Sequence, residues 1–186
     1  MSPSESEFTV LRQTISTRGT VRMALVPVTL IGWTAITVAL LHFRDGSLSG
    51  LLPLLSLSVL VGGFEAIHAL HVGVERIGRY LQVYYEARLD GPKWETTAMS
   101  VGPALPGGGI DPLFTTVFVT VAAVNLLLAL PFRQDGTGYL TYIVIALMHG
   151  AFWARVIRAR AAAARQRTVD LETFRAIKSG QEETKP

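Results

Sequence analysis

The sequence contains no cysteine. Disulfide staples, thiolate zinc sites, cysteine-ligated iron–sulfur clusters and cysteine nucleophiles are therefore excluded, while the redox compartment stays open. Charge is also scarce. Asp, Glu, Lys and Arg make up 17% of the 186 residues, against about 25% in a soluble domain. Apolar residues reach 49%, with a mean hydropathy of +0.38. Charge is absent altogether from Met23 to Phe43 and from Pro112 to Phe132. A charge-free run of about 20 residues matches the hydrocarbon core of a bilayer, because a helix rises about 1.5 Å per residue across about 30 Å. No internal repeat is visible, and the length is that of one domain.

What is present is a set of four apolar runs, expected as spans at about 23–43, 51–74, 112–132 and 139–157. The first is too long for the apolar core of a cleavable signal peptide, and no small-x-small site follows it. Pro27 falls in its first turns, where proline costs little. The second is expected to continue as helix through Glu75 to Glu86, since no proline interrupts it before Gly91-Pro92. Asp111-Pro112 reads as the start of the third span, Asp capping and Pro in the first turn. The fourth is expected to run on as a basic helix over 155–178, with Ala159 to Ala164 as strong helix formers. Between the second and third spans, residues 88–111 read as a loop rich in breakers, Pro103, Pro106 and Gly107-Gly108-Gly109 among them. The triple glycine is not a phosphate loop, because no strand precedes it and no Lys-Ser/Thr follows. Residues 1–22 are polar. Ser4 and Glu7 stand at capping-box spacing, and Phe8, Leu11 and Ile15 suit a short amphipathic helix on the membrane surface.

Lys and Arg set the orientation. Fifteen lie in the segments before the first span, between the second and third, and after the fourth; Arg44 and Arg133 alone lie in the other two connections. The positive-inside rule places the fifteen in the cytoplasm. Four spans reconcile these clusters, with both termini cytoplasmic. The expected organisation is thus an all-α, antiparallel four-helix membrane bundle at 23–160. A cytoplasmic segment precedes it at 1–22, and a basic cytoplasmic helix and tail follow at 161–186. The expected location is the bacterial inner membrane. The sequence pI of about 9.5 reflects topology signals and anionic-lipid contacts, not a nucleic-acid footprint. Arg76, Arg79, Arg155, Arg158 and Arg160 are the expected headgroup contacts and Trp94 an expected interfacial anchor, while Tyr80, Tyr84 and Tyr85 read as interfacial anchors or a partner-binding stripe.

Ionisable residues inside a span are expensive and mark candidate sites. Glu65, His68 and His71 lie in the second span and His149 in the fourth. Glu65 and His68 share a helix face, as do His68, His71 and Glu75. Gly62, Ala66, Ala69 and Gly73 read as a groove for close helix packing. From the outer end, Glu65 is about 21 Å deep and His149 about 15 Å, so the bundle can bring them together. Asn125 in the third span is the remaining buried polar candidate. Three readings compete. Glu65 pairs with His149, Asn125 or a threonine and fixes the packing. Alternatively, Glu65, His68, His71 and His149 hold haem b or a transition metal; a full di-iron site would need more carboxylates than the spans contain. In the third reading the same groups carry protons or ions. Glu75 and Arg79 are at pairing distance on the helix surface. No Ser–His–Asp arrangement is present, and the loops are too short for a catalytic domain. The function expected first is therefore a subunit or scaffold component of a membrane complex without independent catalysis, bound to protein partners or to further copies of itself. A redox subunit, and then an oligomeric transporter or channel protomer, are the alternatives.

Overall fold

A computed structural model describes residues 3–42, 52–88, 93–104, 111–129 and 139–183. Among them the regular structure is entirely helical: α1 (Pro3–His42), α2 (Leu52–Tyr84), a 3-10 turn (Glu86–Arg88), α3 (Trp94–Ala104), α4 (Thr115–Ala129) and α5 (Tyr139–Glu183). Arg44, Arg133 and the glycines at 107–109 lie outside the described residues, as do Pro106 and the connection at 133–138. α1, α2 and α5 are long and apolar enough to cross a membrane. α4 is apolar, with 15 described residues, about 22 Å of rise; residues 130–132 of the expected span at 112–132 lie outside the described residues.

The long helices follow the sequence. α2 continues to Tyr84 and α5 to Glu183, because neither meets a proline and both are rich in helix formers. α1 is continuous from Pro3, so the expected separate surface helix at the N-terminus does not exist as its own element. Pro27 consequently lies deep inside a 40-residue helix, where it removes a backbone hydrogen bond. The start of α4 also differs. Asp111 to Phe114 form a turn, with Phe114 at a φ of 53°, and the helix begins at Thr115. Leu113 is wholly buried and Phe114 packs on the same core, so the turn tucks both apolar side chains away ahead of the helix. The expected loop at 88–111 contains α3. Trp94 to Val101 hold no breaker, and a carboxylate from outside the helix satisfies its first N–H groups.

The chain divides into two compact units. Unit 2 comprises Met23–His68 and Leu113–Arg160. Its core is apolar, built on Leu57, Leu60, Phe64 and Ile67 of α2, Phe118 and Ala122 of α4, and Phe152, Val156 and Ala159 of α5. Phe64 meets Phe118 and Phe152 edge-on at 5.2 and 5.9 Å between ring centres, the arrangement aromatic quadrupoles favour. α1 approaches α2 closely at Gly63, where any side chain would collide with Thr29. Of the small-residue stripe expected to pack, Gly62 faces open space and Ala66 and Ala69 are exposed, whereas Gly73 lies close against the Arg18 guanidinium of α1.

Unit 1 comprises Met1–Arg22, Ala69–Pro112 and Ala161–Pro186. It is held by polar contacts as much as by apolar ones. Tyr80 and Tyr85 both donate to the Glu7 carboxylate, at 3.0 and 2.5 Å, and Tyr80 packs against Phe174 at 5.6 Å. These tyrosines tie α1, α2 and α5 together within the unit.

Candidate functional site

The sequence-derived candidates fall into three separate networks. The first is in unit 2 and centres on Asn125, which α4 carries on the face lined by Phe118, Ala122 and Ala129. Its Oδ1 accepts from the Trp33 indole at 3.0 Å and from Ser56 Oγ at 2.6 Å. Its Nδ2 donates to the Pro53 carbonyl at 3.0 Å and meets His149 Nε2 at 3.0 Å. An indole only donates, which fixes the amide orientation. Nδ2 must therefore donate to His149, so Nε2 of that ring accepts. His149 Nδ1 then carries the proton and donates to the Ile145 carbonyl at 2.8 Å. Every hydrogen-bonding position of Asn125 is filled, and the His149 ring is a neutral tautomer with both nitrogens engaged. Asn125 and His149 are 2% and 0% exposed, so this is a dry structural knot across α1, α2, α4 and α5.

The second network, also in unit 2, joins α2 to α5. Arg155 Nη2 donates to Glu65 Oε2 at 2.7 Å and to His68 Nδ1 at 3.2 Å. The guanidinium lies 5.8 Å from the centre of the Phe64 ring, within cation–π range. Because His68 Nδ1 accepts, its proton sits on Nε2, which is buried without a hydrogen-bond partner. Glu65 therefore pairs with an arginine, where His149, Asn125 or a threonine was expected, and Arg155 is an internal partner where a headgroup contact was expected. The signal was available: Arg155 is 16 residues past Tyr139, about 24 Å, closer in depth to Glu65 than His149 is.

The third network is in unit 1. His71 Nδ1 is 3.0 Å from Arg22 Nη1 and accepts from it. Nearby elements of the unit carry a ladder of charges. Arg167 meets Glu75 at 2.7 Å, Arg79 lies 4.0 Å from Glu75 and 3.5 Å from Glu95, and Arg12 meets Glu95 at 3.0 Å. Arg79 also donates to Gln82 at 3.0 Å. The Glu75–Arg79 pair thus forms, but Arg79 is 3% exposed and is a core cation, which overturns its place among the headgroup contacts. Arg76 pairs with Asp170 at 3.2 Å. Arg158 and Arg160 are exposed on α5. Burial pushes the Glu95 carboxyl above the usual carboxylate range, and Arg12 and Arg79 oppose that shift. Trp94, Glu95 and Met99 of α3, with Glu75, Arg79 and Arg167, line a cavity of about 210 Å³. Sequence reasoning missed Glu86, which is 3% exposed. Its carboxylate accepts from the Glu95 and Thr96 amides at 2.6 and 2.9 Å and from the Thr96 hydroxyl at 2.8 Å. It occupies the N-terminus of α3, where a helix favours an anion.

The four candidate ligands Glu65, His68, His71 and His149 are thus distributed over three networks. Among the described residues no group of three or more His, Asp or Glu side chains is arranged to hold a metal ion. The arrangement ties helices together and pairs Glu65 with Arg155 and Glu75 and Glu95 with Arg79. No family model, curated protein or solved structure matches the chain.

Proposed function

We propose that this chain is a small integral membrane protein that crosses the bilayer four times, keeps both ends in the cytoplasm, and serves as an interaction subunit of a membrane complex. Two features support the topology. Unit 1 gathers 1–22, 69–112 and 161–186, the segments that the Lys and Arg count puts on one side; segments on opposite faces of a bilayer cannot pack into one unit. α5 begins in unit 2 and ends in unit 1, so the short α4 must complete a crossing. The surface of unit 2 supports the membrane reading, with Ile31 69%, Leu127 63%, Leu140 72% and Leu147 66% exposed. In water such surface is costly, whereas lipid tails accept it.

The observation that carries the subunit reading is an exposed apolar stripe on α3, whose Trp94 and Ala98 also border the cavity of about 210 Å³. Trp94, Ala98 and Val101 are exposed at i, i+4 and i+7, and Trp94 is 64% exposed. Glu86 caps the start of this helix, and Glu95 ties it to Arg12 and Arg79. A rigid apolar stripe with a leading tryptophan has the character of an interface anchor, and its occupant is an apolar face of a membrane-complex partner. The test is purification in mild detergent with Trp94→Glu and Val101→Glu beside the parent chain. The parent is expected in an assembly of fixed stoichiometry, and the variants as inserted, folded monomers. A parent chain that is monomeric by light scattering in every mild detergent rejects the reading, and self-association alone assigns the stripe to a second copy. The topology is tested separately. With no native cysteine, single cysteines at Ser6 and Ser179 are expected to resist an impermeant maleimide in intact cells, and one at Ser47 to react.

A further inference from the structure

A second cleft in unit 1, of about 400 Å³, lies between the end of α2, the start of α3 and the C-terminal part of α5. Its lining includes Lys93, Arg175 and Lys178, with Glu86 as the acid. Glu86 is already committed to three donors at the α3 N-terminus. Lys178 spends one proton on the Val83 carbonyl at 3.0 Å and has others to donate. Lys93 and Arg175 form no ion pair or side-chain hydrogen bond with any described residue. Arg12, Arg76, Arg79 and Arg167 of the same unit, by contrast, each have a carboxylate. Three cations facing one carboxylate leave two positive charges in the cleft. Gln82 and Ser179 add uncharged hydrogen-bonding groups, and Val83 and Ala87 an apolar wall. The volume lies in the range of small-molecule sites.

We propose that this cleft binds a phosphomonoester: a dianionic phosphate held by Lys93, Arg175 and Lys178, with a small organic part against Val83 and Ala87. Arginine grips phosphate oxygens through its planar fork, and the lysines act as point charges. The charge of the ligand cancels that of the cleft. The same chemistry is offered by a soluble phosphorylated metabolite and by the headgroup of a phosphatidic-acid-type lipid, and the two sources are separable.

The full chain is reconstituted in phosphatidylcholine nanodiscs and titrated with glycerol 3-phosphate. In a parallel arm it is reconstituted with phosphatidic acid in the disc, and retained lipid is counted by native mass spectrometry. One glycerol 3-phosphate per chain, weakened about tenfold or more by Arg175→Gln and further by adding Lys93→Gln, supports the site with a soluble ligand. Retained phosphatidic acid lost in the same variants supports it with a lipid ligand. Arg165→Gln, exposed on the same helix outside the cleft, is expected to bind like the parent. The two cleft substitutions are expected to leave the helical circular dichroism and melting unchanged. The proposal is overturned if the parent binds neither probe at millimolar concentration, if Arg175→Gln binds as well as the parent, or if Arg165→Gln weakens binding equally.

Discussion

Replacing Asn125 by leucine removes every donor and acceptor at the centre of unit 2 while nearly conserving volume. The side chain is 2% exposed, and it bonds Trp33, Ser56, Pro53 and His149. Ser56 can recover, because its hydroxyl also lies 3.0 Å from the Pro53 carbonyl and can donate there. That single turn re-satisfies both groups. The Trp33 indole and His149 Nε2 remain without partners. The cavity beside the network is about 10 Å³, room for at most one water. Hydrogen bonds between membrane helices average about 0.6 kcal/mol and reach about 1.7. Two orphaned groups at the upper part of that range, with some packing loss, put the destabilisation at about 2–3 kcal/mol. Reversible unfolding in bicelles, followed by tryptophan fluorescence or steric trapping, measures it. Adding Trp33→Phe to Asn125→Leu should cost less than Trp33→Phe alone, because the orphaned indole is gone, with a coupling of about 0.6 kcal/mol or more. A loss below about 0.5 kcal/mol, or strict additivity with Trp33→Phe, would refute the network.

Arg155→Ala leaves Glu65 without its cation in the apolar unit, and should lower the yield of inserted protein. Glu65→Gln combined with Arg155→Gln should restore it, since the penalty of an unpaired intramembrane charge is about 2.5–3.5 kcal/mol on insertion scales; equal yields for all three proteins would count against the pair. Glu86→Ala deprives two buried amides and a hydroxyl of their acceptor, so α3 should lose about 2 kcal/mol of local stability. Hydrogen exchange over 94–104 should rise while α2 and α5 stay protected, and unchanged exchange would show the cap to be idle. The Glu95 carboxyl is raised in the folded chain by burial. Its folded form therefore holds the proton more tightly than the unfolded chain does. That contribution is complete below the ordinary glutamate range and lost as pH rises through the raised value. Glu95→Gln should match the parent in acid and be slightly more stable near neutrality; a strongly destabilised variant at neutral pH would mean that Arg12 and Arg79 outweigh burial.

The sequence alone determined the class and the long elements of this protein. Charge-free runs with helix-forming flanks specify apolar helices, and α1, α2 and α5 follow from composition and the absence of breakers, properties that neighbouring residues settle between themselves. The existence of α3 was hidden, because the carboxylate that caps it comes from Glu86, outside the helix and eight residues before Trp94. The polar candidates were visible as residue types, since a Glu, an Asn and a His in an apolar run stand out against the cost of burying them. Their partners were not visible. Whether His149 meets Glu65 or Asn125 depends on the rotation of α4 and α5 about their own axes, and a turn of one residue, about 100°, changes the answer. Arg79 shows the same limit: its sequence position is that of a flanking cation, yet packing of α3 and α5 encloses it among carboxylates. Tertiary structure decided which charges are spent internally and which, as at Lys93 and Arg175, are left facing outward. Electrostatic pairing acts over a few ångströms between segments far apart in the chain, and only packing brings them that close.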